Sequence, residues 1–315
     1  MNLLVEPDDG FAPLMKQIKT AKRSIDTTIF RFDLGELQNA FEAAVTRGVQ
    51  VRAFVAHTNS DGEKRLRKLE TDLLAAGVIL ARSGDDLVRY HGKMLIIDRQ
   101  VLHVMAFNYT RLDIDRSRSF AISTRNKQLV QEALQLFESD MTRQPYTPGS
   151  ADFVVSPESS RTRLSAFVRG ARRELLIYDP KLTDPVMMRL LEERARKGVD
   201  VRILGRIGRR AAALNAAKMP GMRLHARVII EDGRRAFIGS QSMRKAELDE
   251  RREIGLVTRD ARAVKRLKEV FESDWAQATA TRKGEVKPEA VIDEAAVAEA
   301  ERSADKSSRA ADAAS

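Results

Sequence analysis

A chain of 315 residues is long enough for two domains, each burying its own core. It has no cysteine, which excludes disulfides, thiolate chemistry and cysteine-ligated zinc. Lysine and arginine outnumber aspartate and glutamate by 55 to 45, and the net charge of +10 favours polyanionic partners: nucleic acid, anionic lipid head groups or phosphorylated small molecules.

No stretch approaches the roughly 20 apolar residues of a membrane span. The opening MNLLVEPDDG has neither the basic nor the apolar region of a secretion signal. The expectation is a cytoplasmic protein whose only membrane contact would be peripheral, through a basic face and anionic lipid.

In chain order, a first strand at Leu3–Pro7 leads to a helix at Phe11–Lys22, whose Leu14 and Ile18 repeat at helical spacing. A second helix at Glu36–Thr46 is closed by Gly48, followed directly by a strand at Val49–Val55. Asp61–Ala76 reads as a charged amphipathic helix and Ser83–Asp86 as a turn, together an insertion that decorates the surface or lies over a site. The linker Arg143–Ser150, with two prolines and a glycine, separates residues 1–142 from residues 151–277.

The second segment repeats the first. LLVEP matches Phe153–Pro157, FVVSP, at an offset of 150, as Arg47–Arg52 matches Lys197–Arg202. Helices are expected at Ser160–Arg172 and Pro185–Arg196, the latter capped by Asp184, with Gly198 before a strand at Val199–Leu204. Beyond those points the offset is 134, which pairs His91 with His225, Asp98 with Asp232, and FESD at Phe137–Asp140 with FESD at Phe271–Asp274. Two constant offsets joined by one 16-residue difference indicate a duplication. Alternating strands and helices predict an α/β fold of two tandem lobes, each a mostly parallel mixed sheet flanked by helices, packed with pseudo-two-fold symmetry. From residue 278 onward the composition predicts a disordered tail, with a transient helix at Pro288–Arg302.

The chemistry concentrates in Tyr90–Asp98, YHGKMLIID, and Leu224–Asp232, LHARVIIED. Residues i and i+2 of a strand share a face, so His91 projects beside Lys93 and His225 beside Arg227. An imidazole supplies a nucleophile or moves a proton, and the cation beside it holds an anion. His57, at the end of a strand, and His103, on a neighbouring one, read as loop and structural histidines. Arg111–Arg118 and Arg244–Arg252 read as solvated loops at a site rim, without aromatic residues for base stacking.

His91-x-Lys93-x4-Asp98 resembles the HxKxxxxD motif of the phospholipase D superfamily, and the duplication resembles its two-lobed members over roughly residues 1–277. Arg227 stands where that motif has lysine. The family places Gly-Ser-x-Asn and then a glutamate after each motif. Gly239, Ser240, Ser242 and Glu253 occupy those places in the second half, with Ser242 in place of asparagine. The first half keeps Asn108, has Met105-Ala106 for Gly-Ser, and has Ser119 where the glutamate belongs.

The resemblance implies one phosphodiester site with a catalytic set of His91, His225, Lys93, Arg227, Asp98, Asp232 and Glu253, and substrate contacts from Asn108, Ser240 and Ser242. It implies no cofactor or metal, the cations coming from side chains. His91 would attack phosphorus, forming a phosphohistidine, and His225 would protonate the leaving oxygen. The leading expectation is a phosphodiesterase or phosphatidyl transferase acting on phospholipids. The alternatives are a nuclease of the same superfamily, with nucleic acid as partner, and a non-catalytic phosphate-binding module.

Overall fold

The computed structural model describes residues 1–57, 63–84, 87–208 and 214–282. The predicted Pro288–Arg302 helix lies outside the described residues, as do Asp61 and two residues of the Ser83–Asp86 turn. Each lobe is a mixed sheet flanked by helices, as the duplication predicts.

In the first lobe β1 (Asn2–Glu6), β2 (Ser24–Ile29), β3 (Gln50–Val55), β4 (Ile79–Arg82), β6 (Met94–Ile97), β7 (Val101–Met105) and β8 (Ser117–Thr124) lie in the order β1-β8-β7-β6-β2-β3-β4. In the second, β10 (Glu174–Leu182), β11 (Asp200–Ile207), β12 (Asn215–Ala217), β14 (Val228–Glu231), β15 (Arg235–Gly239) and β16 (Arg251–Thr258) follow the order β12-β11-β10-β14-β15-β16, and β9 (Phe153–Ser156) pairs with β16. Among the described residues, parallel strands pair within each lobe only in β2-β3-β4 and β10-β11-β12, beside one isolated parallel bridge of Phe32 to Tyr109. The sheets are therefore less parallel than the helix–strand alternation suggests. The three-residue turns after β6 and β14 leave no room for the crossover that a parallel pair needs.

The helices begin and end where their signals place them. Asp184 caps α7 (Pro185–Arg196) by accepting from the backbone N–H groups of Val186 and Met187 at 3.0 Å each. Gly48 and Gly198 take left-handed conformations, φ 82° and 84°, after α2 (Gly35–Thr46) and α7. The inserted α3 covers Glu63–Ala75. The last helix, α9 (Ala261–Arg282), runs five residues past the expected boundary at 277.

Two outer cores lie one in each lobe, and a third, shared core lies between the sheets. Phe120, tilted, and Phe271, edge-on, pack against Tyr178 in the shared one, with ring centroids 5.3 and 5.1 Å away. Two further strands cross this boundary. β5 (Arg89–Tyr90) pairs with β16 of the second lobe, and β13 (Arg223–Leu224) pairs with β8 of the first. Each is followed at once by a motif histidine. His91 and His225 are thus held by the lobe that does not carry them: His91 N–H donates to the Arg252 carbonyl at 2.8 Å and His225 N–H to the Arg118 carbonyl at 3.0 Å.

Candidate active site

After the exchanged strands, β6 and β14 return to their own sheets, and the residue just before each is a cation, Lys93 and Arg227. Lys93 Nζ donates to the His91 carbonyl at 2.7 Å and Arg227 Nη1 to the His225 carbonyl at 3.2 Å, so lysine and arginine hold equivalent places. A Cβ at Gly92 would stand 2.6 Å from the Ile254 side chain, so glycine lets this segment lie against β16. All four side chains are buried, Lys93 most deeply at 2% exposure.

Each imidazole meets a carboxylate from the opposite lobe. His91 Nδ1 lies 2.8 Å from Glu253 Oε2, and His225 Nδ1 lies 3.0 Å from Asp113 Oδ2. At His91 the contact is a hydrogen bond, which holds the proton on Nδ1 and leaves Nε2 with its lone pair, while His225 Nδ1 stands at ion-pair distance from its carboxylate. Asp113, on the short α4 (Arg111–Asp115), was read as a solvated loop residue. It is instead buried, accepting from Asn108 N at 2.8 Å, Asn108 Nδ2 at 2.6 Å and Arg223 Nη1 at 2.5 Å. Its counterpart at the 134 offset, Glu247 on α8 (Lys245–Asp249), is likewise buried and accepts from Ser242 N at 2.7 Å. The rim loops therefore carry two buried acids, because α4 and α8 fold one face of each loop inward.

The two imidazoles differ electrostatically. Burial first, then the charges of Lys93 and Arg227, hold His91 well below the usual histidine range. Burial also holds His225 low, but its strongest charged neighbour is Asp113, which favours the imidazolium. Burial raises the Glu253 carboxyl against Lys93, Ser240 and Arg227. For Asp113 burial is the largest single effect and acts upward, yet His225, Arg223 and the Asn108 amide together hold it well below the ordinary carboxylate range. Burial pushes the Lys93 ammonium down to about 7. Arg227 acts on His91, on His225 and on Lys93, which brings both motifs within reach of one charge.

Other predicted residues take supporting places. Asn108 braces Asp113, while its Oδ1 is buried without a hydrogen-bond partner. Ser240 Oγ accepts from Ile254 N at 3.1 Å, and Ser242 Oγ accepts from Arg227 Nε at 3.4 Å. Phe30, which the sequence reading did not single out, sits edge-on to His91 at 4.6 Å and under Lys93 at 5.4 Å. Its only signal was its place at the carboxyl end of β2.

Asp98 and Asp232 are not brought to the imidazoles. They stand at the far ends of β6 and β14 with φ of 54° each. Asp98 accepts from the backbone of Lys22, Arg23 and Ser24 at 2.6–3.1 Å, and Asp232 from Arg172, Arg173 and Glu174 at 2.7–3.2 Å. Their carboxylates pin the entries of β2 and β10, a task in the fold. His103 is also internal, its Nε2 3.1 Å from Gln17 Oε1. His57 is exposed.

The family of the cardiolipin synthase, PLD-like domain matches residues 14–141 and 164–275, both lobes in turn. The chain belongs to this phospholipase D-like family. Among curated relatives, the mitochondrial cardiolipin hydrolase of Homo sapiens is 28% identical over 131 residues, 42% of this chain and 50% of that protein. The Mus musculus enzyme of the same name is 27% identical over 135 residues, 43% of this chain and 59% of that protein. The chain thus spans about half the length of the curated relatives it matches. Two solved structures share the fold. Polyphosphate kinase from Porphyromonas gingivalis superposes with a TM-score of 0.72 at 17% identity, covering 86% of this chain and 46% of that one. Phosphatidylserine synthase from Haemophilus influenzae superposes with a TM-score of 0.66 at 10% identity, covering 88% and 86%. Among the described residues no helix is long and apolar enough to cross a membrane.

Proposed function

We propose that the chain is a phosphodiesterase or phosphatidyl transferase that acts on phospholipids through a phosphohistidine. The observation that carries this reading is the unlike setting of two imidazoles, each oriented by a buried carboxylate of the other lobe. Groups whose surroundings push their protonation apart are suited to opposite roles.

His91, kept neutral by burial and by two cations, is the nucleophile. Its Nε2 lone pair attacks phosphorus as the bond to the leaving oxygen breaks, and the His225 Nε2 proton passes to that oxygen. Water or an acceptor alcohol then attacks phosphorus, its proton returns to His225, and the nitrogen–phosphorus bond breaks to restore His91. Lys93 and Arg227 hold the non-bridging oxygens and offset the charge that builds on them. The net charge of +10 would draw the enzyme to an anionic membrane.

Mass spectrometry after incubation with a p-nitrophenyl phosphodiester, phosphatidylglycerol vesicles or single-stranded DNA tests the scheme. An acid-labile adduct on His91 is expected with the lipid and with the nitrophenyl ester. His225→Ala should accumulate it from the nitrophenyl ester, whose leaving group needs no proton, and His91→Ala should form none. An adduct on His225 reverses the roles, and one formed only from DNA replaces the lipid with nucleic acid as substrate. Turnover with no adduct on either histidine would sink the covalent mechanism.

A further inference from the structure

The duplication places a second buried carboxyl behind the site. β1 and β8 run antiparallel with Glu6 opposite Ser119, and β9 and β16 run antiparallel with Ser156 opposite Glu253. The offsets of 150 and 134 make these the same pair of positions in the two lobes, and the residue types are transposed. Where the second lobe has serine on the outer strand and glutamate on the inner, the first has glutamate outside and serine inside.

Directly opposite residues of an antiparallel pair share a face, their Cβ atoms about 5 Å apart. Ser119 Oγ donates to the His225 carbonyl at 3.3 Å, so that face looks towards His225, and Glu6 stands one strand behind it. Glu6 is fully buried, and no side chain bonds either carboxyl oxygen; the donor that acts on it is the Gly10 amide. The cations packed nearby are engaged elsewhere. Arg118 binds Asp274 and Asp8 and reaches Glu6 only at its backbone carbonyl, Arg266 of α9 binds Asp9, and Arg223 binds Asp113. The charged groups that act on Glu6 itself are acids, Asp8 and Asp9 after β1 and Asp115 on α4, opposed by the Gly10 amide. Burial and these acids push its carboxyl up to about 7. A buried acid with no cation or side-chain donor on its oxygens is costly unless something uses it.

We propose that Glu6 is a positioning residue for His225: its carboxyl is the titratable group that sets the charge behind the second imidazole. In the neutral form it leaves the Asp113 carboxylate as the acid paired with that ring. In the ionised form it adds a second negative charge, which keeps His225 protonated for its work as general acid. Ser156 gives the His91 side no carboxyl on the outer strand, so the lobes differ in where their glutamate stands, on the inner strand and bonded to His91 in one and on the outer strand behind His225 in the other. This rests on the assignment of His225 as the acid.

The test is the ratio of kcat for Glu6→Gln to kcat for the unaltered protein, measured from pH 6 to pH 8 on dihexanoyl phosphatidylglycerol, whose alkyl leaving group needs a proton. Carboxamide and carboxylic acid match in shape and charge, so the ratio should fall about fivefold between pH 6 and pH 8, as only the glutamate ionises. A ratio constant with pH, whether near one or well below it, overturns the proposal, since a merely structural role lowers the rate at every pH. Histidine Cε1 NMR gives a second reading that needs no turnover. There are four histidines, and the His225 signal should show an inflection near pH 7 that Glu6→Gln removes; a flat His225 signal from pH 6 to pH 8, or an inflection that Glu6→Gln leaves in place, also overturns the proposal. Absence of lipid turnover beside a titrating His225 would sink the proposed reaction and leave the coupling standing.

Discussion

Arg118 of β8 and Asp274 of α9 clasp each other across the lobe boundary, Nε to Oδ2 at 2.9 Å and Nη2 to Oδ1 at 3.2 Å. The reverse clasp joins Arg252 of β16 to Asp140 of α5 (Lys127–Thr142) at 3.3 Å. Tyr178 and Tyr90 complete the two clasps with hydroxyl bonds of 2.6 and 2.9 Å to the same aspartates. The repeated FESD thus marks the residue by which each lobe's last helix grips the other lobe. Because Arg118 also carries the carbonyl that receives His225 N–H, the clasp ties assembly of the lobes to placement of the imidazole.

Removing one member of such a pair strands a buried charge. Arg118→Ala should destabilise by roughly 3–5 kcal/mol in denaturant unfolding, and the double variant Arg118→Ala/Asp274→Ala by less than the sum of the two single changes. Strict additivity would mean that the two side chains merely lie near each other.

Asp113 should matter to turnover out of proportion to its effect on binding. Asparagine at 113 keeps the shape but presents an amide to His225 Nδ1 and disturbs the tautomer. Exchanging the aspartate behind a catalytic histidine in this way costs on the order of 10²–10⁴ in kcat. Tungstate affinity, read by calorimetry, should change little. A kcat loss below about threefold would show that Asp113 only braces Asn108 and Arg223.

How much of this was legible depends on how local each signal is. The duplication, the capped helices and both motifs rest on short contiguous patterns, and the fold confirms the two-lobe arrangement they predict. The partner of His225 was not local. Its carboxylate comes from a charged loop whose composition resembles any solvated one, and only folding of α4 turns Asp113 inward. A signal existed in the gap left by Ser119: a missing glutamate opposite a retained histidine asks for an acid nearby, and Asp113 is six residues away. Asp98 and Asp232 erred the other way. A motif position suggested chemistry, while their left-handed backbone and bonds to strand entries give them a task in the fold.

That reassignment can be measured. Asp232→Ala should lose about 1–2 kcal/mol, the low side of the range for bonds to a charged group because the site is half-exposed. Activity of the folded protein should stay within about twofold. The Asp232 carboxyl lies below its ordinary value of 3.8, opposed by burial but held there by the Glu174, Arg173 and Arg172 amides. Its contribution is therefore present above about pH 4 and fades as pH falls through the lowered folded value. A tenfold loss of kcat without loss of stability would return Asp232 to the chemistry.

Arg227→Lys asks whether the second cation needs its fork. Its Nη1 bond to the His225 carbonyl mirrors the Lys93 bond to His91, and lysine reaches the same kind of acceptor in the first lobe. The variant should keep or raise kcat/KM. A loss greater than about tenfold, worth roughly 1.4 kcal/mol of transition-state stabilisation, would show that bidentate geometry at phosphate is required.

Lys93 predicts how anion binding responds to pH. Burial is the main reason its ammonium sits at about 7, with Arg227 lowering it further and Glu253 opposing. A bound dianion stabilises the charged form, so above pH 7 binding must be accompanied by uptake of one proton. Tungstate affinity should therefore be nearly flat below pH 7 and fall about tenfold per unit above it, the slope of one linked proton. Calorimetry in buffers of different ionisation enthalpy should count that proton directly at pH 8. In Lys93→Arg, which stays charged throughout this range, the alkaline fall should disappear. An equally steep fall in that variant would assign the proton to another group and leave Lys93 charged in the free protein.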